Sequence, residues 1–104
     1  MVMTALVVED DTMMMNSLER SLESMGYNVV LQNYLDNQSA PEQLFDLAVV
    51  DGLGGSGIPF LKDVNAERKF LYTGDYEMVK KAKSAGLEVH MKPDSMEEIL
   101  EVGK

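Results

Sequence analysis

Cysteine and tryptophan are both absent from this chain of 104 residues. Without thiols there can be no disulfide and no thiolate metal site, and the composition fits a reducing, cytoplasmic setting. Cations are scarce: 9 Lys and Arg face 18 Asp and Glu, for a formal net charge of -9. So few basic side chains cannot neutralise a row of phosphates, which argues against direct nucleic-acid binding. The longest apolar runs, Ala5 to Val8 and Leu47 to Val50, are far short of the roughly 20 residues a membrane helix needs, so no membrane association is expected. Met1-Val2-Met3 carries neither a basic region nor a long apolar stretch, and a signal peptide is not expected.

The length suits one domain over residues 1–104, because two hydrophobic cores would not fit in so short a chain. Apolar, β-branched runs alternate with segments of helical spacing, the pattern of βα units and a parallel sheet. Ala5 to Val8 reads as a buried strand. Met14, Met15, Leu18, Leu22 and Met25 then recur at helical spacing, with Thr12 as N-cap and Gly26 at the C-terminal end. Tyr27 to Gln32 is a second strand, and Ser39 to Phe45 a short helix with Pro41 in its first turn. Asp46 to Val50 is a third strand that delivers Asp51, followed by a glycine loop and at most two helical turns over Ile58 to Val64. Lys69 to Thr73 is a fourth strand, Asp75 to Ala85 a helix, Leu87 to Met91 a fifth strand, and the chain closes on a helix to Val102. Five strands and five helices in strict alternation give a three-layer α/β domain.

Ligands of open parallel sheets bind beyond the carboxyl ends of the strands. There the sequence places Glu9 and Asp10 after strand one, Asp51 after strand three, Thr73 on strand four and Lys92 after strand five. Clustered carboxylates repel one another unless a cation intervenes, and as hard oxygen donors they suit Mg²⁺. A carboxylate can also attack phosphorus to give an aspartyl phosphate, provided the incoming charge is neutralised by a cation and a lysine. Taken singly, Asp51 is compatible with a helix cap, Thr73 with an ordinary turn residue, Lys92 with a solvated lysine, and Glu9-Asp10 with a cap of the first helix. Their arrival at four strand ends in this order is what singles them out.

The segments Leu6-Val7-Val8-Glu9-Asp10-Asp11, Asp46-Leu47-Ala48-Val49-Val50-Asp51, Tyr72-Thr73-Gly74 and Met91-Lys92-Pro93 resemble the motifs of response-regulator receiver domains, over essentially the whole chain. The resemblance implies a flavodoxin-like, doubly wound α/β fold with a five-stranded parallel sheet in the order 2-1-3-4-5, and it implies that Asp51 is the phosphoacceptor of a two-component phosphorelay. Asp10 is then the direct Mg²⁺ ligand, Glu9 acts on the ion mainly through water, and Asp51 and the backbone carbonyl of Leu53 complete the protein's share. Thr73 binds the phosphoryl group, Lys92 pairs with it, and the Lys92-Pro93 peptide is cis. The donor is a phosphohistidine of a histidine kinase or phosphotransfer protein, and phosphorylation alters binding of a downstream protein. Such a domain is not a conventional enzyme; it promotes its own phosphotransfer and autodephosphorylation. With no output domain in this length, it is a stand-alone regulator, a relay member or a piece of a larger protein.

The sequence also departs from the receiver pattern. The intervals from Asp51 to Thr73 and from Thr73 to Lys92 are short for the family, so the third and fourth helices are expected to be reduced. Val89 stands where an aromatic switch residue is usual, with Tyr72 and Tyr76 as potential substitutes. Leu53 cannot orient an attacking water, which implies slow autodephosphorylation. Glycines replace the usual structure in Gly52 to Gly57, so this loop is expected to be mobile without metal. Three other readings compete. The loop fits G-x-G-x-x-G after a strand, as in dinucleotide-binding domains, although Asp51 would repel a pyrophosphate. A haloacid-dehalogenase-like phosphatase needs a second acid where Leu53 stands. A pseudo-receiver would bind a partner without phosphorylation. His90, the one histidine, reads as a strand-five residue at a helix-packed or partly exposed face, and the 9 methionines as core filling.

Overall fold

The computed structural model describes residues 2–32 and 41–102. The strands are β1 (Met3–Val8), β2 (Tyr27–Gln32), β3 (Phe45–Val50), β4 (Ala66–Thr73) and β5 (Val89–Met91), and the helices α1 (Thr12–Ser24), α2 (Gly57–Asp63), α3 (Tyr76–Ser84) and α4 (Met96–Val102). All strand pairs are parallel, in the order β2-β1-β3-β4-β5. The alternation of apolar runs foretold the parallel sheet, and the order is the flavodoxin-like one implied by the receiver resemblance.

Side chains alternate across each strand, so the sheet has two apolar faces. Ala5, Val7, Leu47, Val49, Phe70 and Tyr72 pack with Leu18 and Leu22 of α1 and Met96, Ile99 and Leu100 of α4. Leu6, Val8, Ala48, Val50 and Leu71 pack on the other side with Phe60 and Leu61 of α2 and Met78 and Ala82 of α3. The central strands β1 and β3 are buried on both faces, which is why they read as continuous apolar runs. Phe45 and Phe70 are 1% and 0% exposed, and each contributes about 1.5–3 kcal/mol of transfer free energy.

Several boundaries differ from the sequence reading. The N-cap of α1 is Asp11 rather than Thr12. Asp11 has the extended backbone a cap requires (φ -91°, ψ 113°), and its Oδ1 accepts from the amides of Met13 at 2.9 Å and Met14 at 3.3 Å. The helix expected over 39–45 is not formed where its residues are described. Residues 41–44 hold a bend at 42–43 and no helical turn, and Phe45 already belongs to β3. Residues 39 and 40 lie outside the described residues. Sheet pairing claims Phe45, whose amide donates to Asn65 O at 2.9 Å and which registers with Ala66. The strict alternation of five helices is therefore reduced to four α-helices among the described residues. The helices of 7 and 9 residues at α2 and α3, against 13 in α1, match the expected reduction.

Candidate functional site

Strand register sets the site. Val8 pairs with Val50, and the amide of Asp51 donates to Val8 O at 2.8 Å, so Glu9 and Asp51 emerge side by side. β4 runs two residues past its pairing with Val50, to Thr73, and the Lys92 amide donates to Thr73 O at 2.9 Å. The five polar residues picked out in the sequence thus meet at one end of the sheet.

Carboxylate oxygens of Glu9, Asp10 and Asp51 lie within 4.8 Å of one another. Lys92 bridges two of them, donating from Nζ to Glu9 Oε2 at 2.7 Å and Asp51 Oδ1 at 2.8 Å. Glu9 Oε1 accepts from the Asp11 amide at 3.2 Å, and Asp51 Oδ2 accepts from the Leu53 amide at 2.9 Å. The Glu9 side chain is 2% exposed, those of Asp51 and Lys92 13% and 19%, while Asp10 is exposed to solvent. Burial raises the pKa of Glu9 above its ordinary value, and repulsion by Asp51 adds to it; hydrogen bonds from Lys92 and the Asp11 amide only partly oppose the rise. Burial alone would depress Lys92, but its hydrogen bonds to Asp51 and Glu9 outweigh that and hold its pKa above the ordinary value.

Three converging carboxylates with one ammonium leave an excess of negative charge and an all-oxygen donor set, which fits a hard divalent cation such as Mg²⁺. Both Glu9 oxygens already accept hydrogen bonds, which suits action through water, whereas Asp10 faces solvent. The Leu53 carbonyl accepts from Ser56 N at 3.2 Å and retains a second lone pair. Leu53 itself stands at φ +46°, an uncommon conformation for a leucine, in the turn that brings its amide onto Asp51.

The glycine loop is a compact turn. Amides of Gly55 and Gly57 both donate to Gly52 O, and that of Ser56 to Leu53 O, so these amides are not presented to a pyrophosphate. A Cβ at Gly57 would overlap the Asp51 carbonyl oxygen, so α2 can begin directly against the Asp51 backbone only because residue 57 is glycine.

On the sheet's other face, Tyr72 is 4% exposed and donates to Asp94 O at 2.6 Å. Burial, with repulsion by Asp94, raises its pKa. Tyr76 is 61% exposed, with Lys80 Nζ 5.0 Å from its ring centre. Val89 is half-buried on the Thr73 face, and His90 is half-buried against Phe70 with its ring centroid 4.9 Å away. Met13 is the exposed member of the methionine triplet, at 83%. Sequence reasoning passed over Gly52 and Met78. A Cβ at residue 52 would stand 3.1 Å from Met78 Cγ and 3.2 Å from Thr73 Oγ1.

Neither a protein-family model nor a curated protein sequence matches the chain. Solved structures do. A chemotaxis response regulator of Vibrio cholerae superposes with a TM-score of 0.73 at 19% identity, over 98% of this chain and 96% of that one. A response regulator from Thermotoga maritima gives 0.69 at 18% identity, over 98% and 94%. A response regulator protein from Burkholderia pseudomallei, determined with a phosphorylated aspartic acid, a calcium ion and citrate, gives 0.72 at 24% identity, over 94% of this chain and 64% of that one. No helix among the described residues is long and apolar enough to cross a membrane. In strand order and layering, this chain has the fold of a response-regulator receiver domain.

Proposed function

We propose that this chain is a Mg²⁺-dependent phosphoacceptor of a two-component phosphorelay, with Asp51 as its nucleophile. The observation that carries the reading is the convergence of Glu9, Asp10 and Asp51 within 4.8 Å, with Lys92 bonded to both Glu9 and Asp51. A carboxylate oxygen of Asp51 forms a bond to phosphorus as the bond to a phosphohistidine nitrogen breaks, and that nitrogen keeps the electron pair. The Leu53 amide holds Asp51 Oδ2 and fixes the carboxylate's plane. Lys92 exchanges its Asp51 contact for a phosphoryl oxygen. The Thr73 hydroxyl accepts from the Asp75 amide at 3.1 Å, which leaves its own proton to donate to the phosphoryl group. Asp10, Asp51 and the Leu53 carbonyl would hold Mg²⁺, with Glu9 acting through water, and the bound ion would supply the remaining charge neutralisation. The donor is a histidine kinase or phosphotransfer protein, the setting cytoplasmic, and the product has altered affinity for a downstream protein.

Incubation with acetyl phosphate and Mg²⁺, read by intact mass, tests this. One phosphoryl group is gained by the wild type, none by Asp51→Asn, and none with chelator. Because Leu53 cannot hold an attacking water, the group persists well beyond seconds. A wild-type chain that gains no phosphoryl group refutes the proposal and leaves a receiver fold that binds partners without phosphorylation.

A further inference from the structure

Gly52 follows the acceptor directly, yet its backbone (φ -65°, ψ -32°) is ordinary right-handed geometry open to any residue. Conformation therefore gives no reason for a glycine here, but space does. A Cβ at this position would stand 3.1 Å from Met78 Cγ, 3.4 Å from Met78 Cβ and 3.2 Å from Thr73 Oγ1. Met78 comes from the start of α3 and is 6% exposed; Thr73 ends β4 and is 4% exposed. Three segments distant in sequence thus meet where the side chain of residue 52 would be.

We infer that Met78 is a positioning residue for Thr73: lodged in the space Gly52 leaves, it sets where the threonine hydroxyl stands beside Asp51. The inference rests on the phosphoacceptor reading. The Asp75 amide donates to Thr73 Oγ1 at 3.1 Å, and the point a residue-52 Cβ would occupy lies 3.2 Å from that oxygen and 3.1 Å from Met78 Cγ, so both side chains border the space that Gly52 leaves. Methionine suits the task, because its unbranched chain fills an irregular gap yet yields when a neighbour shifts. Threonine, branched at Cβ, has few rotamers and takes its place from such contacts.

The test compares Gly52→Ala, Met78→Ala and the double variant by two readings. One is the rate of Asp51 phosphorylation by acetyl phosphate and Mg²⁺. The other is the Thr73 methyl resonance in unphosphorylated protein. Each single variant is expected to slow phosphorylation about tenfold, and the double to regain most of the loss, since the added methyl takes up room that Met78 gave up. The Thr73 resonance should move in each single variant and return toward wild type in the double. Singles within about twofold of wild type, or a double as slow as both losses combined, overturn the inference. The methyl reading needs no phosphotransfer. If the wild type takes up no phosphoryl group, the functional reading fails alone and the resonances still decide whether Met78 places Thr73. Should circular dichroism show Met78→Ala unfolded, the volume-conserving Met78→Leu takes its place and must move the Thr73 resonance, or the inference falls.

Discussion

Glu9 is where burial and charge oppose each other most. At 1% exposure it accepts from Lys92 and the Asp11 amide, yet desolvation and the nearby Asp51 still hold its pKa above the ordinary value. A carboxyl whose folded pKa is raised favours its protonated form in the fold. Its contribution to stability is complete below the unfolded value and is lost as pH rises through the folded one. Glu9→Gln should therefore raise the Tm of metal-free protein at pH 7 by a few degrees, the shift that about 1 kcal/mol makes in a domain of this size. The gain should fade once the pH falls below the usual carboxylate range, and added Mg²⁺ should stabilise the variant less than the wild type. A lower Tm for Glu9→Gln at pH 7 without metal would contradict this account. The polar residues of the site were readable in sequence because each stands at the end of a strand-like segment, and strand geometry carries such residues to one edge of the sheet. Gly52 and Met78 were not. A glycine in a glycine-rich loop reads as flexibility, and a methionine at helical spacing reads as core.

Among the elements, α4 is short, and its last turn leaves carbonyls without intrahelical partners. Arg68 reaches them from β4, donating from Nη2 to Ile99 O at 3.0 Å and from Nη1 to Leu100 O at 3.4 Å. Glu88 orients the guanidinium through a 2.7 Å bond and also meets His90 Nε2 at 2.6 Å. Burial pushes the Glu88 carboxyl up, but its bonds to Arg68 and His90 outweigh that and hold it below its ordinary 4.5. A lowered folded pKa gives stability that is present above the unfolded value and lost as pH falls through the folded one. Arg68→Ala is expected to cost about 1 kcal/mol at pH 7, modest because both side chains remain partly exposed. Amide exchange should quicken in α4. The gap in Tm to wild type should narrow as pH drops below 4.5, and a gap constant across that range would remove Glu88 from the explanation. The same β4 shows why element ends were harder to read than element cores. Its first residues, Ala66-Glu67-Arg68, look like loop, and only pairing of Ala66 and Arg68 with Phe45 and Leu47 makes them strand. The helix read over 39–45 failed for a related reason. Pro41 and the spacing of Leu44 and Phe45 allow a helical turn, but burial of Phe45 in the sheet is worth more than local propensity.

The whole molecule carries a net charge of -9, and two different cation effects should follow from how that charge is placed. Glu97, Glu98 and Glu101 are exposed along α4, where mobile ions screen them within a Debye length of about 10 Å at 0.1 M salt. Glu9, Asp10 and Asp51 instead converge within 4.8 Å, two of them largely buried, where bulk screening is weak. Monovalent salt should thus raise Tm gradually, without saturating, through the dispersed acids. Mg²⁺ at equal ionic strength should add a saturable increment through the converged ones, reaching about 2.7 kcal/mol at a free concentration 100 times the dissociation constant. Asp10→Asn removes a donor that faces solvent and bears little on packing, so it should abolish the saturable increment and leave the gradual one. Thermal melts in KCl and MgCl₂ matched for ionic strength separate the two. If KCl reproduced the Mg²⁺ curve, or if Asp10→Asn kept the increment, the converged carboxylates would be one more part of an acidic surface rather than a binding site. The strand order brings them together. β1 and β3 are neighbours in the sheet only because the chain crosses from β2 on one side of β1 to β3 on the other, which sets Glu9 and Asp51 at adjacent strand ends. A fold that places like charges side by side on buried strand ends leaves a strain that bulk salt cannot reach and a bound divalent ion can.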